Sequence, residues 1–224
     1  MTLQPVTLEG RLVRLEPLVE WHFAELFQAA RRDARIWQYM FYGDMSERSN
    51  MEAFLVNAIR LREAGTDQPF AVIDKASGRA IGSTRYRDIC MKHMKLEIGG
   101  TWYAPEYQRT GINLESKYLL LRHAFETFGI LRVQFKTDIR NAASRKSLEK
   151  MGAVQEGILR RSAIMPDGVI RDTAIYSILD TEWGMVKQGI EARLQRHASR
   201  PILSLLEAGH YLGHGTTQSH NNTH

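Results

Sequence analysis

One cysteine, Cys90, stands in 224 residues, which excludes an internal disulfide framework and fits a reducing compartment. No long apolar run occurs, so neither a secretory leader nor a membrane-crossing helix is expected, and the reading is cytoplasmic. No internal repeat is found. Charge of one sign is also lacking in bulk: 30 Lys and Arg face 25 Asp and Glu, a net charge of +5. The basic residues form no single block, so a nucleic-acid partner is not expected. No Cys/His set has the spacing of a familiar metal site.

What is present is an ordinary globular composition, 43% hydrophobic and 25% charged, which predicts a packed core without staples. The length suits one domain with an extension. Residues 11–18 alternate as an opening strand. Trp21, Phe23, Leu26 and Phe27 recur at helical spacing, and 50–63 is an amphipathic helix ended by Gly65. Strands are predicted at 70–73, 80–85 and 95–103. A strong helix follows over 114–128, a strand over 132–137, and a helix over 142–151 closed by Gly152. A strand pair at 153–164 and 169–179 surrounds the turn at Pro166, Asp167 and Gly168, before a last helix over 181–196. The order β-αα-βββ-α-β-α-ββ-α predicts an α+β (mixed α/β) domain rather than a doubly wound one.

From about His197 the character changes. Five of the eight histidines fall there, among Gly, Ser, Thr and Asn. The expectation is a domain over 1–196 and a flexible tail over 197–224.

The stretch with chemistry in it runs from Gly99 and Gly100 through Gln108, Arg109, Thr110, Gly111, Ile112 and Asn113. A strand runs out, a polar loop follows, and a long helix starts near Gly111. The start of a helix offers unpaired N–H groups and the positive end of its dipole, and a run of N–H groups in a loop adds a nest for an anion. Such a place suits a pyrophosphate. Gly111 permits close backbone approach, and Arg109 adds charge.

Gln108–Asn113 resembles the acyl-CoA pyrophosphate loop of the GNAT superfamily of N-acetyltransferases, Gln/Arg-x-x-Gly-x-Gly/Ala. The wider run is similar to the branch containing the ribosomal-protein N-terminal acetyltransferases, the Rim branch. Supporting stretches are Ile98–Trp102, Arg132–Asp138, Asn141–Ser144, Glu149–Ala153, Glu156–Arg160 and Glu182-Trp183, so the resemblance covers about residues 8–190. It implies a central, mostly antiparallel twisted sheet of about seven strands flanked by helices. It also implies acetyl-CoA as co-substrate without a metal, and an amine acceptor, either a small molecule or a protein N-terminus. A homodimer is left open. Two departures stand out. Asn113 occupies the last position of the loop motif. Leu148 stands where many members carry a tyrosine acid, so that proton donor is missing.

The resemblance further implies that backbone groups of Trp102 and Tyr103 pair with the pantetheine arm, alongside Gln108, Arg109, Thr110, Gly111, Asn113 and Asn141. The doubled glycine, Gly99-Gly100, marks either a bulge with close ligand approach or a merely weakened strand. Asn141 and Ser144 share a helix face, and Ser144 is the candidate proton donor to the leaving thiolate; Asn141 also suits an N-cap. Glu97 is the candidate base, with a plain surface carboxylate as the other reading. Trp37, Tyr39, Met40, Phe41 and Tyr42 form an aromatic cluster that is either core or acceptor pocket, and Trp37, Tyr39 and Arg160 are the candidate acceptor contacts. A transferase of a larger acyl group such as succinyl, and an acyl-CoA sensor without turnover, remain alternatives.

Overall fold

The computed structural model describes residues 4–198. The chain runs β1 (Leu8–Glu9), β2 (Val13–Pro17), α1 (Phe23–Ala30), α2 (Arg48–Glu63), β3 (Gln68–Asp74), β4 (Ala80–Cys90) and β5 (Lys95–Tyr103). It continues with α3 (Gly111–Arg122), β6 (Arg132–Asp138), α4 (Ala142–Met151), β7 (Val154–Ile164), β8 (Ile170–Leu179) and α5 (Asp180–Ala198). The eight strands form one sheet in the order β1-β2-β3-β4-β5-β6-β8-β7. Every neighbouring pair is antiparallel except β5 and β6. The sequence led us to expect about seven strands. The eighth is β1, whose two residues are too short to show a period of two. A π-helical turn, His123–Thr127, prolongs α3, so the predicted 114–128 helix is two pieces. The flexible tail expected over 197–224 lies almost wholly outside the described residues; α5 itself extends to Ala198.

Both faces of the N-terminal half of the sheet are covered. Phe70 and Val72 of β3 enter a core shared with Leu120 and Leu121 of α3 and with Tyr176 and Trp183. Ala71 and Ile73 enter a second core, with Leu26 of α1 and Met51 and Phe54 of α2. β3 is therefore buried along its whole length, the pattern of a strand covered on both sides. The second core takes residues from β3, β4 and β5 but none from β6, β7 or β8. On that face the C-terminal half of the sheet is left without a helical cover, and polar side chains occupy it.

Helix α3 is pinned at its middle. The buried Glu115 carboxylate accepts the backbone N–H groups of Arg11, Leu12 and Val13 at 3.0, 2.6 and 2.8 Å. The turn between β1 and β2 thus behaves toward Glu115 as an anion-binding loop. Gly10 is required by the closeness of this contact, since a Cβ there would lie 2.6 Å from Glu115 Oε2.

Candidate active site

β5 and β6 part company. Lys95, Leu96 and Glu97 pair with Arg132, Val133 and Gln134, and the ladder stops there. β5 nevertheless runs on to Tyr103 and β6 to Asp138. A wedge opens between two parallel strands, with unpaired backbone groups along it. Such an edge suits an extended ligand that adds like a strand.

The doubled glycine sits at the mouth of the wedge and makes a bulge. Ser83 pairs with Trp102 and Arg85 with Gly99, so β5 carries one more residue than β4 between these pairs. Gly100 takes a left-handed φ of 57°. A Cβ on it would lie 2.7 Å from Arg85 Nε, so both the conformation and the neighbour demand glycine. Trp102 and Tyr103 then point their side chains into the two opposite cores, leaving their backbone at the wedge.

Beyond β5 the loop bends through Arg109, at φ 61°. Gln108 folds back, its amide donating to Tyr103 O at 3.2 Å. Thr110 caps α3 by accepting the Ile112 N–H, and its own hydroxyl donates to Tyr107 O. The other N–H groups at this helix end, those of Gly111 and Asn113 among them, have no partner within the helix. Asn113 reaches across to α4, where its amide donates to Ser147 Oγ at 3.4 Å. The wedge and the start of α3 are thus contiguous. Their donors fit a cofactor with an extended amide-bearing arm and a pyrophosphate.

At the far end of β6, Asn141 caps α4 by accepting the Ser144 N–H at 3.0 Å. The Ser144 hydroxyl has no hydrogen-bond partner among the described residues. Leu148 is buried in the core.

The uncovered face of the sheet holds the ionic residues. Glu97 is no surface carboxylate: it is 3% exposed, 2.8 Å from Lys136 Nζ and 3.8 Å from Arg87. Burial alone would lower the Lys136 pKa, but its contacts with Glu97 and Asp88 outweigh that and raise it. Asp138 is held below the usual carboxylate range chiefly by the Arg140 guanidinium. Tyr39 lies under Arg140, whose guanidinium carbon is 5.8 Å from the ring centroid. Arg160 is exposed on the edge strand β7. Trp37 does not line this face. It is buried in the second core, 4.9 Å from the Trp102 ring, and its indole N–H donates to Ala30 O. A Trp whose polar atom is already paired inside is a packing residue.

Three residues escaped the sequence reading. Arg85 and Arg171 come from strand positions with no local motif. Lys117 had a signal: it lies three residues after Leu114 and four before Leu121, an inward-facing position on α3. Its ammonium donates to Thr101 Oγ1 at 2.7 Å, and burial lowers its pKa to about 7, against the pull of Glu97.

Comparison with known proteins agrees with this architecture. The sequence pattern described as "Acetyltransferase (GNAT) domain" matches residues 12–154. A 99-residue stretch is 32% identical to the Bacillus subtilis (strain 168) protein named "Uncharacterized N-acetyltransferase YoaA", covering 44% of this chain and 55% of that one. The chain therefore spans about half the length of this curated relative. A GCN5-related N-acetyltransferase from Brucella melitensis superposes with a TM-score of 0.81 at 32% identity, over 87% of each chain. Mycobacterium smegmatis RimJ, solved in complex with CoA-disulfide, shares the fold with a TM-score of 0.73 at 21% identity, over 84% of this chain and 95% of that one. The chain belongs to the GNAT acetyltransferase family, a family of transferase enzymes. Among the described residues no helix is long and apolar enough to cross a membrane.

Proposed function

We propose that the chain is a cytoplasmic N-acetyltransferase that carries an acetyl group from acetyl-CoA to a primary amine, on a small molecule or a protein N-terminus. The observation that carries this reading is the wedge between β5 and β6 opening at the start of α3, where the Gly111 and Asn113 N–H groups have no partner within the helix. When bound, acetyl-CoA supplies a thioester, whose C–S bond breaks as the amine nitrogen forms the new N–C bond. Backbone groups of Trp102 and Tyr103 hold the arm along the free edge of β5. Gln108, Arg109, Thr110, Gly111 and Asn113 shape the pyrophosphate end. Asn141 uses its carbonyl oxygen to cap α4, which leaves its amide N–H groups for the cofactor arm. Ser144 presents the hydroxyl that gives a proton to the leaving sulfur. Glu97, between Lys136 and Arg87, orders the cations on the acceptor face and takes the amine proton through water. An α-amine, with a pKa near 8, needs less help from such a base than a lysine near 10.4. The transferase unit extends over 1–196, with 197–224 appended to it.

Acetyl-CoA titrated into the full chain by calorimetry tests the cofactor site. Gly111→Val puts a branched side chain at the start of α3 and should weaken binding roughly 100-fold, about 2.8 kcal/mol. Equal affinity for the two proteins would remove this loop from the site. Thiol release across amines and N-terminal peptides then tests turnover; binding without release from any acceptor would favour a sensor.

A further inference from the structure

The segment of residues 39–42 crosses over the wedge and is tied down on both sides. On β4, Arg85 donates to the Tyr42 hydroxyl and lies 3.3 Å from Asp67. On β8, Arg171 donates through Nη1 to Tyr39 O at 3.3 Å, and its guanidinium carbon is 4.7 Å from the centre of the Phe41 ring. The strap therefore roofs the open face beside the candidate reaction centre. Thr173, next but one to Arg171, pairs with Asp138 at the end of β6, and Asn141 and Ser144 follow directly.

Arg171 is the anomaly. It is 5% exposed. Nε donates to Thr173 Oγ1 at 3.0 Å and Nη1 to Tyr39 O, and Nη2 donates to nothing among the described residues. Of the five N–H donors on a guanidinium, three are thus uncommitted. No carboxylate comes within ion-pair distance of it among the described residues. The two whose fields reach it are already engaged. Asp138 takes a fork from Arg140, at 2.9 and 2.6 Å. Glu97 is held by Lys136 and Arg87. Arg140 and Arg87 repel Arg171 in addition, and burial is the largest influence that lowers its pKa. A buried guanidinium stays charged, and burying it without a counter-charge is costly. The planar fork matches a carboxylate.

We propose that Arg171, tied to the strap and left with uncommitted donors, grips a carboxylate carried by one of the two reactants. This rests on the transferase reading of the site. Two chemical sources meet the description: an amine acceptor with a carboxylate of its own, as in an amino acid, or a dicarboxylic acyl thioester such as succinyl-CoA. Specificity would then be set by whether the reactant fills an otherwise uncompensated charge.

The experiment compares matched pairs on the full chain. One arm pairs each of the common amino acids with its methyl ester, using acetyl-CoA. The other pairs succinyl-CoA with acetyl-CoA, using a neutral amine. Each pair is read twice, by kcat/KM and by calorimetric affinity, so that a carboxylate preference shows even where turnover fails. One arm should favour the carboxylate partner by roughly 30-fold or more. Arg171→Met should reduce that ratio to about threefold or less, and Arg171→Lys should retain part of it. A ratio does not depend on how much of each variant is folded, so a purely structural role for Arg171 leaves it unmoved. The first arm places the carboxylate on the acceptor, the second on the acyl donor. No preference in either arm, or a preference that survives Arg171→Met, overturns the proposal. Preference in affinity without turnover would sustain it while refuting the transferase reading.

Discussion

The two ends of the site are built from different materials. The proposed cofactor end is made of backbone: a bulge at Gly99-Gly100, an unpaired strand edge, and a helix start capped by Thr110. The proposed acceptor end is made of side chains, Tyr39, Tyr42, Arg85, Glu97, Lys136 and Arg171, which four strands and one connection bring to a single face. Backbone geometry is encoded by neighbours in sequence, because bulges, left-handed residues and caps need particular residues at fixed offsets. A face of a sheet is assembled across register, and its members need bear no relation in sequence. The proposed cofactor end is accordingly the part that a local sequence pattern can carry, and the proposed acceptor end is the part that it cannot.

The largest effect should come from loosening the cofactor end from behind. Glu115 holds three backbone N–H groups with one buried carboxylate. Glu115→Ala leaves those donors without a partner in a confined turn and should cost about 4 kcal/mol. In a domain of this size that lowers Tm by roughly 8–16 °C. Glu115→Gln keeps an acceptor oxygen and should lose about half as much. A melting curve of the alanine variant within about 2 °C of the parent would show that the turn rearranges and that the pin is idle.

Next comes the boundary between the two ends, where α4 begins. Ser144→Ala removes a hydroxyl that has no partner among the described residues and little volume. If Ser144 protonates the leaving sulfur, kcat should fall about 10–100-fold, the lower part of the range for general acids, because a thiolate leaves tolerably well unaided. The KM for acetyl-CoA should hold, since the proton is needed only as the C–S bond breaks. Turnover within about twofold of the parent would assign the proton to water or to the amine instead.

How far each region could be read in advance follows the same division. The doubled glycine, read as a bulge or a weakened strand, and the Asn141 cap were visible because each sits within a few residues of what it shapes; the Thr110 cap is just as local but emerged only in the structure. β1 was not, since two residues cannot display an alternation. Trp37 was indistinguishable from its aromatic neighbours in sequence; only packing against Trp102 and a bond to Ala30 O separate it from the uncovered face of the sheet. Glu97 was correctly located on its strand, but its tie to Lys136 joins residues 39 positions apart on parallel strands. Arg171 had no local signature at all. The alternation of β8 says that it faces opposite to Ala174 and Tyr176, and not that the helical cover ends before reaching it.

Lys117 separates the two materials most finely, because it is a side chain placed inside the backbone-built end. It rises from α3 toward Thr101, which in turn lies 2.8 Å from Thr84 Oγ1. Burial lowers its pKa from 10.5 to about 7, and the Glu97 field opposes the shift. Between these two values the unfolded chain binds more protons than the folded one, so this residue makes stability rise with pH. Below about pH 7 the native state bears the whole cost of a buried ammonium, and the cost fades as pH climbs toward 10.5. Lys117→Met keeps the length of the side chain and removes the charge. The variant should be more stable than the parent at pH 6, by about 1–2 kcal/mol after the lost bond to Thr101 is counted. At pH 10 the lysine is neutral in the native state and still donates to Thr101, so the advantage should vanish or reverse. Urea unfolding of both proteins at pH 6, 8 and 10 measures the difference directly, and other titrating groups cancel in the comparison. A difference that stays constant across this range would mean that Lys117 keeps an ordinary affinity for its proton, and that water reaches the underside of the wedge.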